Sequence, residues 1–346
     1  MKYNYDPMYT VSLFEKIVNV PSPVGYFREM NPLIEEIASS LGCDVTYDNK
    51  YTAYITLDGC DNSKTVMVGA HLDTIGLIVR RIDNNGMIRV RQLGGINFSS
   101  IEGETVHIHT RDGRCYSGLV TVSSHSVHVF DDARTMSRDE ENIMIIIDED
   151  VHCKEDVVAL GIRHGDPISI SPRFQITDKG YIKSRFIDDK AAVAVCLNMI
   201  KYLKENNLKP KYKTIISFPY AEEVGLGGTY VPEGVSDFIA VDIGLIGPDL
   251  DGNEKSVSIC AKDNTAPYNY ALTSELIEIA ERNNINHSVD IFYRYGTDAN
   301  ASQRAGNNLR AAAFGMAVYC SHGMERTHIE GLNATLDLLL AYILGE

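Results

Sequence analysis

No C-x-x-C pair occurs among the seven cysteines, Cys43, Cys60, Cys115, Cys153, Cys196, Cys260 and Cys320, which are scattered and odd in number. That pattern argues against a zinc ribbon and a disulfide framework, so the expected setting is a reducing one, the cytoplasm. No uninterrupted apolar run reaches the roughly 18 residues that a bilayer-crossing helix needs. The polar opening MKYNYDPMYT lacks the basic patch and apolar core of a secretory signal. Basic residues are in deficit as well: 32 Lys and Arg against 47 Asp and Glu leave a formal charge of −15. A chain so charged is repelled by nucleic acid and by anionic membranes, so neither is an expected partner. Peptides or small molecules fit better. Internal repeats and low-complexity linkers are absent from the sequence.

What remains is a globular composition, 44% apolar and 23% charged, on 346 residues. That length suits one large α/β domain carrying an insertion, or two domains. The first third has helical periodicity in TVSLFEKIVNV and NPLIEEIASSLG, then a strand-like run KTVMVGA that delivers the chain to His71. The character then changes to short β pieces separated by turn signals: GLIVRRI, DNNG, MIRVRQL, TVHIHT, RDGR, CYSGLVTV. N-G and D-G turns between alternating runs mark hairpins and small barrels. After RHGDPISI a β/α alternation returns and runs to the final helix ATLDLLLAYILG. The expected fold is therefore α/β, a mixed sheet sandwiched by helices, formed by residues 1–75 and 166–346. Residues 76–165 would be an inserted small β-barrel or PDZ-like domain.

Residues 219 to 228 read PYAEEVGLGG and set Glu222 beside Glu223. A solvated turn carries such a pair without further meaning. The partners at other strand ends speak for more. In open α/β sheets, sites form outside the carboxyl ends of strands. VMVGA ends at His71 with Asp73 two residues on, FIAV at Asp242, and AAAFGMAVYCS at His322. Asp188 and Asp189 sit where SRFI turns into a helix with Val193, Cys196, Leu197 and Ile200 on one stripe. Imidazoles and carboxylates without thiolates are the ligand set of a catalytic zinc, cobalt or manganese ion. Two histidines and several acids suit two such ions bridged by a carboxylate. An unligated acid beside them is then needed to move protons, and adjacent residues leaving a strand point apart. One glutamate can bind while its neighbour shuttles.

These residues resemble the tetrahedral (TET) aminopeptidases, the glutamyl-aminopeptidase-like family of dinuclear metallopeptidases whose members are sometimes mislabelled endoglucanases. The matching blocks are GAHLDTIGL at 69–77, RFIDDKAAVAV at 185–195, YAEEVGLGG at 220–228, AVDIG at 240–244, GTDAN at 296–300 and YCSHGMERTH at 319–328. The resemblance implies that His71, Asp188, Glu223, Asp242 and His322 ligate two metals, zinc or cobalt, with Asp188 as the bridge. It makes Glu222 the general base and places Asp73 behind His71 as its orienting group. It also implies a cis peptide between Asp188 and Asp189, a part for Asp298 at the substrate end, and a homo-dodecamer built from dimers through the inserted domain. Three positions depart from the family pattern: Thr74 follows Asp73 where an acid is common, Lys190 replaces an arginine, and SHGMERTH replaces the more usual H-S-P form. His328 is therefore an alternative to His322. His322 is preferred because it follows the strand directly and leaves a family-like distance to the final helix.

The expected activity is the removal of N-terminal residues from peptides. A metal-dependent deacylase or carboxypeptidase on N-acyl amino acids would use the same ligands, and a noncatalytic assembly or glycan-binding protein could retain the fold. Other candidates read as structure. The glycines GLGG lack the lysine and the Ser or Thr of a phosphate loop and form a turn. His107 and His109, and likewise His125 and His128, lack a third ligand.

Overall fold

The structure, a computed structural model, describes residues 2–346. The chain forms two compact units, Met1–Asp73 with Arg173–Glu346, and Thr74–Pro172. The smaller unit is a closed barrel of strands in the order Gly76–Ile82, Ile88–Leu93, Ile143–Ile147, Cys115–Val122, Thr105–His109, Pro167–Ile170. Pro167–Ile170 lies beyond the border read from sequence. It belongs to the barrel because it pairs with both Gly76–Ile82 and Thr105–His109, leaving no open edge. Alternation fills this interior: Leu77, Val79, Ile88, Val90, Val106, Ile108, Val120 and Ile145 are all buried.

The larger unit is built on a sheet in the order Thr46–Tyr47, Ala53–Leu57, Tyr212–Phe218, Asp61–Gly69, Val235–Val241, Arg310–Val318, Val257–Lys262, His287–Ile291, with Gly244–Leu245 beside Arg310–Val318. Its four central strands, Tyr212–Phe218, Asp61–Gly69, Val235–Val241 and Arg310–Val318, run parallel. Ala53–Leu57 and Val257–Lys262 flank them antiparallel. Parallel strands covered on both faces read as continuous apolar runs, and Val66, Met67 and Val68 are each at most 2% exposed. All four carboxyl ends therefore open on one edge. A second, three-stranded sheet joins Gln175–Ile176, Tyr181–Ser184 and Glu325–His328.

Local signals set the helix ends. The Asp6 carboxylate accepts the Met8 N–H at 2.9 Å with Pro7 as the first helical residue, which starts Pro7–Val18. His328 does the same for Ile329–Leu344, its Nδ1 accepting the Glu330 N–H at 3.0 Å, so that helix begins earlier than the apolar run ATLDLLLAYILG suggests. The helix Ile187–Glu205 differs from the striped helix expected. Every residue from Ile187 to Ile200 is buried, because Pro7–Val18 and Ile329–Leu344 both pack on it. Its first turn is irregular at Asp188 and Asp189, and the peptide bond between them is cis.

Candidate metal centre

The parallel strand ends deliver the polar residues to one place. His71 lies two residues beyond Gly69, Asp242 directly follows Val241, and Glu222 and Glu223 begin the short 3-10 turn after Phe218. Close packing fixes Asp242. A Cβ on Gly315 of the neighbouring strand would lie 1.5 Å from the Asp242 carbonyl oxygen, so no other residue fits there. The Asp242 carboxylate also accepts the Ile243 N–H at 2.6 Å.

Asp188 stands at the middle of the cluster with one carboxylate oxygen toward each histidine. Its Oδ1 is 3.0 Å from His71 Nε2, and its Oδ2 is 3.4 Å from His322 Nε2. Glu223 Oε2 lies 3.5 Å from His322 Nε2, and Glu222 Oε2 lies 3.8 Å from His71 Nε2. Two sets of donor atoms fall within 4.8 Å of one another: His71, Asp188 and Glu223, and His71, Asp189 and Asp242. His328 is elsewhere. Its Nε2 meets the Lys179 carbonyl at 2.7 Å and its Nδ1 caps the final helix, so both ring nitrogens are occupied by backbone. The geometry brings His322 to the cluster and leaves His328 out.

Asp73 acts through a different atom from the one expected. Its backbone carbonyl accepts from His71 Nδ1 at 2.9 Å, while its carboxylate is 3.6 Å from that nitrogen. The carboxylate instead accepts the N–H groups of Glu222 and Glu223, each at 3.1 Å. One aspartate thus turns His71 so that Nε2 faces the cleft and seats both glutamates. Asp298 tightens the same turn from the far side. Its Oδ1 accepts the Gly228 N–H at 2.5 Å, and a Cβ on Gly228 would lie 2.0 Å from its carbonyl oxygen. GLGG is therefore a contact turn, in keeping with its lack of phosphate-loop residues.

The electrostatics follow from crowding acids with little water. Burial, helped by the charge on Asp188, pushes Glu223 up to about 8 and Asp242 up to about 7. Burial raises Glu222 well above the carboxylate range, with His71 pulling the other way. Asp188 is held below the usual range: its hydrogen bonds to His322 and His71 outweigh its burial. Lys190, wholly buried, is pushed down to about 7 by the same desolvation; its Nζ donates to the Val20 carbonyl at 2.6 Å. Two imidazoles cannot balance this many acids. An oxygen and nitrogen donor set of that composition fits hard or borderline divalent cations, and Asp189 Oδ1, buried with no hydrogen-bond partner among the described residues, adds an unused oxygen to it.

The sequence reading passed over two acids. Asp189 was visible beside Asp188 but carried no role; here its Oδ2 accepts the His71 N–H at 3.1 Å. Glu325 was not singled out at all, and its only signal was an acid three residues after His322. Its carboxylate accepts the N–H groups of Asp188 and His322. Among the histidines set aside, His109 Nε2 pairs with Ser169 Oγ at 2.8 Å inside the barrel unit.

The acids line a cavity of about 790 Å³, together with Tyr295, Thr297 and two exposed arginines, Arg294 and Arg304. Tyr295 donates its hydroxyl to the Ile243 carbonyl at 2.8 Å and so fixes that wall to the residue after Asp242. Among the described residues, no helix is long and apolar enough to cross a membrane.

The profile of the M42 glutamyl aminopeptidase family matches residues 52–338. YhfE of Bacillus subtilis (strain 168), which carries an aminopeptidase name, is 38% identical over 96% of this chain and 97% of its own length. The lysyl aminopeptidase of Pyrococcus furiosus is 24% identical, covering 96% of each chain. In fold, the chain is similar to the Pyrococcus horikoshii TET1 peptidase, described as assembling into a tetrahedron or a large octahedral shell. That match has a TM-score of 0.86 at 23% identity, over 97% of this chain and 100% of the other.

Proposed function

We propose that this chain, which belongs to the M42 glutamyl aminopeptidase family, removes N-terminal residues from peptides with the help of two divalent cations. Membership rests on the profile match over residues 52–338 and on the 38% identity to a relative spanned almost end to end. It makes the chain an aminopeptidase-class enzyme. The observation that carries the dinuclear reading is Asp188, whose two oxygens each face a different histidine, as a carboxylate between two ions would. His71 and Asp242 would hold one ion, His322 and Glu223 the other, with Asp188 shared. Ions so held, zinc or cobalt with manganese as a third candidate, would supply Lewis acidity toward the scissile carbonyl and lower the pKa of water.

The chain itself handles the protons. Glu222, at the open side of the cluster with a side chain 14% exposed, takes a proton from the attacking water and returns it to the departing amine. Burial raises its proton affinity, which favours its taking up a proton from the attacking water. Asp73 holds it in place through the Glu222 N–H. Asp298 seats the turn that follows, and the neighbouring Thr297 lines the cleft, which supports a part for Asp298 in shaping its substrate end. Arg294 and Arg304 line the same cavity without an ion-pair partner among the described residues, which supports a preference for substrates that present a carboxylate there.

The seven cysteines, none of them in a disulfide, support a cytoplasmic location. The likeness to a TET peptidase supports self-association, with a homo-dodecamer built from dimers as the assembly to test and the barrel unit as its contact surface. The deciding experiment strips the protein of metal, reloads it with zinc, cobalt or manganese, and screens aminoacyl-p-nitroanilides against N-acetyl amino acids. Release of p-nitroaniline from free-amine substrates supports the reading. No hydrolysis with any metal overturns it, and cleavage of only the N-acetyl compounds replaces it with a deacylase.

A further inference from the structure

Glu325 opens the strand Glu325–His328, which pairs antiparallel with Tyr181–Ser184 and sets Glu325 opposite Ser184, just before the turn that carries Asp188. It is 2% exposed. A buried carboxylate of this kind needs donors, and Glu325 takes both from backbone: Oε2 accepts the Asp188 N–H at 3.0 Å and Oε1 accepts the His322 N–H at 3.1 Å. Asp188 and His322 are also the two residues whose side chains face each other across 3.4 Å.

The segment that carries His322 is a turn closed by backbone hydrogen bonds. Tyr319 and Arg326 exchange backbone hydrogen bonds at its base, and Gly323 N–H bonds the Cys320 carbonyl within the turn. Cys320 and His322 both have positive φ, 60° and 59°, and the His322 side chain is 36% exposed. The Glu325 carboxylate thus ties this half-buried turn to the start of the helix Ile187–Glu205. A carboxyl group with two oxygens serves both N–H groups, one oxygen to each. A glutamine offers one carbonyl oxygen and would set its own N–H donors against the second amide.

We infer that Glu325 is a positioning residue for the metal centre, setting the distance between Asp188 and His322 by holding both backbones. The inference rests on the dinuclear reading above, because it assigns a function to the spacing of two ligands. It touches neither substrate nor ion.

The test is the metal affinity of the Glu325→Gln protein, measured by calorimetric titration of metal-free protein with zinc and with cobalt. Glu325→Gln is expected to bind about 10–100-fold more weakly, the usual effect of removing a group that orients a ligand. Its metal-free melting temperature should stay within a few degrees of wild type, and its turnover should recover as metal is raised. Wild-type affinity in a Glu325→Gln protein that merely melts lower would overturn the inference. If Glu325→Gln does not fold, Glu325→Asp, which keeps both oxygens on a stem one methylene shorter, should show weakened binding and wild-type affinity would again overturn it. His322→Ala tests the reading underneath. If it binds metal as wild type does, the ligand assignment has failed, and Glu325 falls with it.

Discussion

The two units treat charge in opposite ways. In the barrel unit several acids have a base beside them: Arg91 meets Glu140 and Glu141 at 2.8 and 2.7 Å, Arg81 and Arg89 share Asp83 at 2.7 Å each, and Arg138 meets Glu102 at 2.7 Å. In the cleft of the larger unit, Asp188, Glu222, Glu223 and Asp242 share two imidazoles. Paired charges near water have little left to do, and each such pair is worth at most about 1 kcal/mol. Acids gathered out of water with too few bases are costly to assemble, so their persistence points to a ligand that supplies the missing positive charge.

The sharpest way to break this contrast is to remove that charge. Treatment with a chelator should abolish p-nitroanilide hydrolysis, and readdition of zinc or cobalt should restore it; activity that survives chelation would show that the acids need no cation. Glu222→Gln comes next, with turnover falling about 10²–10⁴-fold while metal content, read by atomic spectroscopy, stays at the wild-type value. Glu223→Gln should lose metal as well as rate. If both variants lost metal equally, the two glutamates would not differ in role.

A third prediction compares the cleft with a paired acid in its own unit. Glu223 and Asp242 are raised to about 8 and about 7 by burial, so in metal-free protein the folded state holds protons that the unfolded state has released. Their contribution is complete below the unfolded carboxylate range and is lost as pH rises through about 7 to 8. Metal-free protein should therefore melt higher at pH 5.5 than at pH 8. Asp237 runs the other way. Its burial is outweighed by Arg310 and Lys64, at 2.7 and 2.6 Å, which lower it. Its contribution is present at neutral pH and lost as pH falls through its folded value, so Asp237→Asn should flatten the acid side of the melting profile.

Smaller effects should follow at the edges. Asp298→Ala removes the acceptor of the Gly228 N–H and should lower kcat/KM by about tenfold, at a stability cost of about 1–3 kcal/mol for the buried amide left without a partner. Arg91→Ala in the barrel should leave turnover unchanged and cost at most about 1 kcal/mol, measured by denaturant unfolding. A large loss of activity from Arg91→Ala would show that the ion pairs of the barrel are more than structural.

Much of the fold was legible because strand and helix periods are local. KTVMVGA and AAAFGMAV read as strands from their apolar runs, and the DNNG and RDGR turns marked the β unit. What escaped was the pairing that assigns Pro167–Ile170 to the barrel, since a four-residue strand carries no sign of its partners. The helix after Asp188 was read as striped for the same reason: only the packing of two other helices on it makes its outer face an inner one.

For the centre itself, the sequence alone determined which residue types stand at strand ends, and so the candidate donor set: two histidines, several acids and no thiolate. The tertiary structure decided what each atom faces. His328 stood as an alternative to the preferred His322 until the backbone claimed both of its nitrogens, and Asp73 turned out to orient His71 through its carbonyl while its carboxylate seats the glutamates. Glu325 became visible only when two segments 137 residues apart met on its carboxylate. Residue type is written along the chain, but a hydrogen bond depends on distance and direction to ångström precision, and those exist only once the strands have been brought side by side.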